Sequence, residues 1–388
     1  MRPMSAWVAS LRSMTTFWDG PHSDTAFEDV DWASLTHAYG PADDVPGQLA
    51  ALRSGEQAVR DTAYWRLYGN VFHQGDRYAA TPYAARHLIS VAADPATPER
   101  HRALGLLARL AIGYDDAYLP RGFDAGLLRA EAARIAALDP EQARRELAEW
   151  VAEAPNEDIA RNRAYHLEVF DVAHERDAVR WALESYDAVR AGTAVYRALL
   201  EDPSPAVRIG AAYLLGWFPE DAARSVSALV EVLRSETHPP VAATAAVAAA
   251  LLGGGPAVAR WAEAALADPA EVVAWAGAVV LALRYAGTGP GAVRVYPASL
   301  DDEALHERVI AVLRAHIADA PDLPDAPGGE DLDDVVGEFE DYVPQPEGDA
   351  GSRVPYLDGD LAGLAMGALE LLGEDGCDDG REEAGLGG

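Results

Sequence analysis

A short pattern recurs along this chain: an acidic turn, then Val-Arg or its remnant, then a small residue, then leucines. The fullest copy is Asp202-Pro203-Ser204-Pro205-Ala206-Val207-Arg208, continued by Ala211, Leu214 and Leu215. Its valine recurs at Val241 and Val273, 34 and then 32 residues further on. Val59-Arg60, Ala63 and Leu67 repeat the skeleton near the start, and Asp94-Pro95 to Leu107 repeats it with one extra residue. A second amphipathic stretch precedes several of these copies, as at Val45 to Leu52, Ala194 to Leu200 and Ser225 to Arg234. A unit of two helix-length stretches cannot bury its apolar face alone and must stack on its neighbours. Strand-like runs such as Val293-Arg294-Val295-Tyr296 are too few to build a sheet. Asp139-Pro140, Asp202-Pro203 and Asp268-Pro269 mark helix starts, with proline in the first turn and the aspartate expected to cap the helix.

These residues resemble the HEAT-repeat family, and the turns His73-Gln74-Gly75 and Tyr114-Asp115 resemble those of its bacterial members. The resemblance covers about residues 45 to 285. It implies an all-α fold, a right-handed α-solenoid of HEAT-like helical hairpins. In such repeats the arginine after the valine reaches an acceptor in a neighbouring repeat, and the small residue lets helices approach closely. Ala242 and Ala274 stand at the arginine position in two copies, and residues 124 to 192 fit the repeat loosely. The family includes interaction scaffolds, chaperone-like lyases of bilin attachment and one class of DNA glycosylase.

Charge and breakers divide the chain. We read 1–44 as an N-terminal cap segment, 45–318 as the repeat solenoid and 319–357 as an acidic Pro/Gly-rich loop. We read 358–373 as a packing helix and 374–388 as an acidic tail. The chain has 63 acidic residues against 31 basic ones, a net charge of −32, and all the basic residues are arginine. Residues 319–355 and 374–388 hold 18 acids and two arginines, half of that net charge. So acidic a chain repels phosphate backbones and anionic bilayers, which argues against nucleic-acid and membrane partners. The single cysteine, Cys377, allows neither an internal disulfide nor a thiolate metal cluster, which fits a cytoplasmic setting.

The candidate site lies at two turns. Asn70 to Pro82 interrupts the Ala-Leu pattern with His73, Gln74, Gly75, Asp76, Arg77, Tyr78 and Thr81. As a plain helix end, Gly75 would sit at C′, with Thr81 as N-cap and Pro82 at N1. One repeat later come Tyr114, Asp115, Asp116 and Arg121. Equivalent turns of a solenoid stack along one edge, so the two are expected to be neighbours. Adjacent carboxylates beside tyrosine and histidine suit a cationic ligand or acid–base chemistry. An enzyme would use Asp115, Asp116 and His73. Alanine at both aspartates is then expected to remove binding and leave the fold intact. Asp31 to Gly40 reads as a short helix ending at Gly40. It caps the first repeat, and Trp32 and His37 are the residues it would offer to a pocket. His166, Glu168, Asp171, His174 and Glu175 lack the spacing of a helical metal site and read as a solvated helix. No metal or cofactor is expected.

The leading reading is a protein-interaction scaffold with a concave acidic surface that favours a basic protein partner. The alternative is a small-molecule-binding protein or enzyme with a polar pocket at residues 73–78 and 114–121, acting on a cationic or amine-bearing substrate.

Overall fold

The computed structural model describes residues 30–115, 117–286, 303–318 and 361–373. The expected acidic loop, the tail and the strand-like run at Val293 lie outside these residues. The described chain is helical nearly throughout, and its strand pairing is confined to two short hairpins.

Five helical hairpins form the body: α1 (Val45–Ala51) with α2 (Gln57–Asn70), and α3 (Thr81–Ala93) with α4 (His101–Ile112). Before the third, α5 (Ala125–Ala136), α6 (Pro140–Ala152), α7 (Glu157–Val169) and α8 (Val172–Arg190) intervene. Then come α9 (Thr193–Leu199) with α10 (Pro205–Leu215), α11 (Ala222–Ser235) with α12 (Pro239–Leu251), and α13 (Pro256–Ala265) with α14 (Glu271–Ala286). Two more helices, α15 (Glu303–Ala318) and α16 (Leu361–Leu372), pack on α14 and on each other. α16 lies within the segment expected as a packing helix, 358–373, whose first three residues are outside the described ones.

The second helices form a continuous inner row, α4, α10, α12 and α14. Alanine-rich sequence makes this possible. Every residue of α12 from Pro240 to Leu251 is buried, so the helix is apolar all round and sits inside the stack. At Gly277 of α14, a Cβ would lie 2.7 Å from the Ala262 carbonyl oxygen of α13. This is the close approach that the small residue of the repeat allows.

The repeat arginine does what the resemblance implies. Arg60 donates to the Ser54 carbonyl at 3.0 Å and to Glu99, ahead of the next hairpin's inner helix, at 2.8 Å. Arg208 repeats this with the Asp202 carbonyl at 2.8 Å and Glu236 at 2.8 Å. The turn aspartates differ from expectation. Asp94, Asp202 and Asp268 each accept the amide two residues on, at 2.8–2.9 Å, and so form Asx turns ahead of the helix. Asp139 alone of the three Asp-Pro pairs caps its helix, through the Gln142 amide at 2.7 Å.

The loose fit of residues 124–192 has a simple cause. Helix α4 packs directly on α10, about ninety residues later in the chain. The intervening helices leave the inner row as an arm. α5 and α8 pack together at its base, and α6 and α7 form its outer hairpin. The C-terminal half of α8 returns to the body through buried Tyr186 and Val189. Arg129 ties the base down by bridging Asp187 at 2.6 Å and Glu220 at 3.1 Å, and the Tyr186 hydroxyl donates to Glu220 at 2.5 Å.

The N-terminal segment also departs from expectation. Trp32–Ser34 make a single 3-10 turn, and Thr36–His37 pair with Gly40–Pro41 as β1 and β2, where a short helix was expected. His37 fixes the turn, since its Nδ1 accepts the Tyr39 amide at 3.0 Å. That leaves the proton on Nε2, which donates to Asp44 at 3.1 Å. Asp44 also accepts from Gln48 at 2.8 Å and from Asn70 at 3.2 Å, so one carboxylate joins this hairpin to α1 and α2.

Trp32 is buried against Tyr83 and His87 of α3, with ring centroids 6.3 and 6.0 Å away. Burial first, then Arg53 and Arg86, pushes His87 down to about 4. Between pH 6.5 and 4 the folded chain therefore binds fewer protons than the unfolded chain, so stability falls as pH falls through that window. For a ring that keeps some solvent contact the loss is about 2 kcal/mol. The unfolding free energies from urea melts at pH 7 and pH 4.5 should converge by about that amount in a His87→Gln variant; an unchanged gap would refute this.

Candidate functional site

The site begins on α2. Its buried stripe is Arg60, Ala63, Tyr64 and Leu67, spaced i, i+3, i+4, i+7. Trp65 and Tyr68 cannot join that stripe and point outward, 49% and 43% exposed. Beyond α2, Phe72–His73 and Asp76–Arg77 pair as β3 and β4. The two-residue loop is Gln74-Gly75, with φ of 50° and 94°. Positive φ at both positions is the signature of a tight type I′ hairpin, so Gly75 belongs to a hairpin turn and is not a helix C′. Thr81 is the first residue of α3 and follows Ala80 as N-cap. Its buried hydroxyl donates to the Val71 carbonyl at 2.7 Å and accepts the Tyr78 amide at 2.8 Å, tying the hairpin to α3.

The hairpin carries aromatic residues to one corner. Phe72 is fully buried, edge-on to Tyr68 at 5.2 Å and to Tyr114 at 5.5 Å. Tyr39, from the first hairpin, is 70% exposed and reaches His73, its hydroxyl 3.3 Å from Nδ1. Tyr114 is 39% exposed and lies beneath the Arg109 guanidinium, 5.5 Å away. A Cβ on Gly75 would meet the Tyr114 ring at 3.4 Å, and one on Gly113 would meet Arg77 at 2.9 Å. The two turns expected to be neighbours are therefore in contact.

The individual candidates have different surroundings. His73 and Tyr78 are half-buried at the corner, and Gln74 is exposed at the hairpin tip. Arg77 turns inward and donates to the Gly75 carbonyl at 2.5 Å, and burial pushes its guanidinium below the usual arginine range. Asp115 is 2% exposed, with one oxygen 3.1 Å from Arg109 and the other accepting from the Tyr213 hydroxyl at 2.6 Å. Burial, then the Asp115 carboxylate, holds the Tyr213 hydroxyl well above the usual tyrosine range, so it stays a donor. Asp116 lies outside the described residues. Trp32 and His37 are held in the N-terminal packing described above. Arg121 is exposed on the stretch that leaves this turn, where Pro120 abuts Gly367 of α16 and Gly122 abuts Leu251 of α12.

Trp65, Tyr68 and Tyr39 were absent from the sequence-based candidates. The signal for the first two was present: Tyr64-Trp65-Arg66-Leu67-Tyr68 puts three aromatics in five residues, more than one helical stripe can bury.

With this geometry in place, comparison with known proteins addresses the stack itself. Residues 192–282 match the family of HEAT repeats. This segment is a run of HEAT repeats. It extends from the residue before α9 into α14 and holds the alanine-rich inner helices. No curated protein and no solved structure matches the chain. HEAT repeats generally serve as protein-interaction scaffolds.

Proposed function

We propose that this HEAT-repeat protein is a cytoplasmic interaction scaffold. A protein partner docks on the N-terminal corner formed by Tyr39, Trp65, Tyr68 and Tyr114. The observation that carries the reading is that exposed Tyr39, Tyr68 and Tyr114 gather round the β3–β4 hairpin, through His73 and Phe72, with exposed Trp65 one turn from Tyr68 on α2. Aromatic side chains supply most of the energy at such contacts because they combine large apolar area with few rotors. The net charge of −32 favours a basic partner, whose association slows as salt rises. Exposed Asp43, Asp44 and Asp76 near the corner have the same sign. His73, Gln74 and Tyr78 would form the polar rim. No helix among the described residues is long and apolar enough to cross a membrane.

The test is crosslinking capture of partners by the wild type and by a Trp65→Ala/Tyr68→Ala variant, followed by affinity measurement on the purified partner. Both side chains are half in solvent, so folding should be retained. A folded variant is expected to bind about thirtyfold more weakly, as for loss of about 2 kcal/mol at an interface centre. Equal binding by a folded variant would refute the assignment of the corner.

A further inference from the structure

The face of α2 that carries Trp65 is the open end of the stack. Ala58, Thr62, Trp65 and Gly69 have the i, i+4, i+7, i+11 spacing of one helix face, and the first three are exposed. A Cβ on Gly69 would be 4.0 Å from the Tyr39 ring, so Tyr39 lies over this face one turn beyond Trp65, with exposed Tyr68 beside it. α2 belongs to the first hairpin and has no earlier hairpin against which to bury this face. The described residues ahead of α1 pack on α3 through Trp32 and reach only the last turn of α2, where Ala38 donates to the Asn70 carbonyl at 3.0 Å. End repeats of a solenoid need a covering with a polar outer side.

We propose that residues 4–18, which lie outside the described residues, cover this face as a helix and hold the corner against a partner. Met4, Trp7, Val8, Leu11, Met14 and Trp18 fall at i, i+3, i+4, i+7, i+10 and i+14, the apolar stripe of an amphipathic helix. Ser5, Ala9, Arg12, Ser13 and Thr16 fall on the other side and supply the polar outer face. Gly20-Pro21 ends the pattern. The charge is complementary. Residues 1–18 hold Arg2 and Arg12 and no acid, in a chain of net charge −32. Exposed acids lie at both ends of α2: Glu56 directly precedes it, and Asp44 accepts from Asn70 at its end. Against them stands one exposed cation of the helix, Arg66. The reach suffices, because the eleven residues 19–29 can extend further than the nine steps from Val30 to Tyr39 can separate those two. A helix with two arginines can also lie on a bilayer, but the acids of the remaining chain repel anionic lipid. The segment is thus a tethered competitor of a basic partner, a consequence that rests on the corner being the partner's docking site.

The probe is a fluorescein-labelled peptide of residues 1–20, titrated by anisotropy into the full chain carrying Trp7→Ala/Leu11→Ala, which leaves the corner open. One helix face makes a small interface, so a dissociation constant of about 50 µM is expected. The tether supplies an effective concentration on the order of 1 mM, so the wild-type chain should bind the peptide about twentyfold more weakly. Adding Trp65→Ala/Tyr68→Ala to the open chain should weaken the peptide about tenfold, with circular dichroism confirming the fold. No binding to the open chain, equal binding to the wild type, or indifference to the Trp65 and Tyr68 changes each overturns the inference. So does cosedimentation of the wild-type chain with vesicles of phosphatidylcholine and phosphatidylglycerol that is lost in Trp7→Ala/Leu11→Ala, which would assign the stripe to a lipid surface. No partner enters the titration, so it decides the contact of residues 4–18 wherever a partner docks. A partner should then bind the open chain about twentyfold more tightly than the wild type. Equal affinity beside a positive titration would refute the corner as the partner's site and the competition with it, and would uphold the contact.

Discussion

Asp115→Ala should lower the free energy of unfolding by about 3–5 kcal/mol, among the largest effects expected of any single change in this chain. The substitution removes the acceptor shared by the Arg109 guanidinium and the Tyr213 hydroxyl in a site closed to water. Removing the carboxylate takes an ionised acceptor from Arg109 and the acceptor from a buried Tyr213 hydroxyl, and a buried donor that loses an acceptor costs far more than the bond contributes net. Tyr213→Phe removes a single hydrogen bond and keeps the ring, so about 1–1.5 kcal/mol is expected. The two changes should be coupled in a double-mutant cycle, with the combined loss smaller than the sum. Urea denaturation of the four proteins decides it. An Asp115→Ala protein within 1 kcal/mol of wild type would return this carboxylate to the list of binding residues. The sequence alone suggested that outcome, since an aspartate in a polar turn reads as solvated.

That contrast shows what sequence could and could not convey. The repeat skeleton sets the hairpins, because Val207, Arg208 and the leucines after them have helical spacing and Asp-Pro pairs separate the units. The contact between the two turns was also legible, since equivalent turns of a stack adjoin. Which residues face inward at those turns was not. Asp115 is buried because Tyr213 arrives from α10, and nothing local to residue 115 announces a helix about a hundred residues further on. The arm obscured this, because a regular reading places residues 124–192 in the stack. Gly75 was read as a helix end because a glycine after a helical pattern usually is one. Only the backbone shows that Gln74 shares its positive φ and that the chain turns back as a hairpin. Gly40 has the same history: Asp31 to Tyr39 have a helix-like composition, but the His37 ring captures the Tyr39 amide and holds a hairpin.

Asp202→Ala is the second large effect, again about 3–5 kcal/mol. Its side chain is fully buried and receives Arg100, which itself is nearly buried. A second oxygen holds the Ser204 amide at 2.9 Å, so the same carboxylate shapes the turn into α10. The location gives this pair its importance. Arg100 immediately precedes α4, and Asp202 precedes α10 by three residues. At the other end of the same two helices, Asp115 follows α4 and meets Tyr213 near the end of α10. The joint where the chain resumes its stack after the arm is therefore fastened at both ends by buried polar contacts, with apolar packing between. About 15–20 Å of helix separates the two fastenings, so their losses should add in the double variant Asp115→Ala/Asp202→Ala. Hydrogen exchange distinguishes a weakened joint from a general loss of stability. In Asp202→Ala, amides of α4 and α10 should lose protection first, while α12 and α14 keep theirs until global unfolding. Uniform loss across all four helices would mean that the stack unfolds as one unit and that this joint is no weaker than the others.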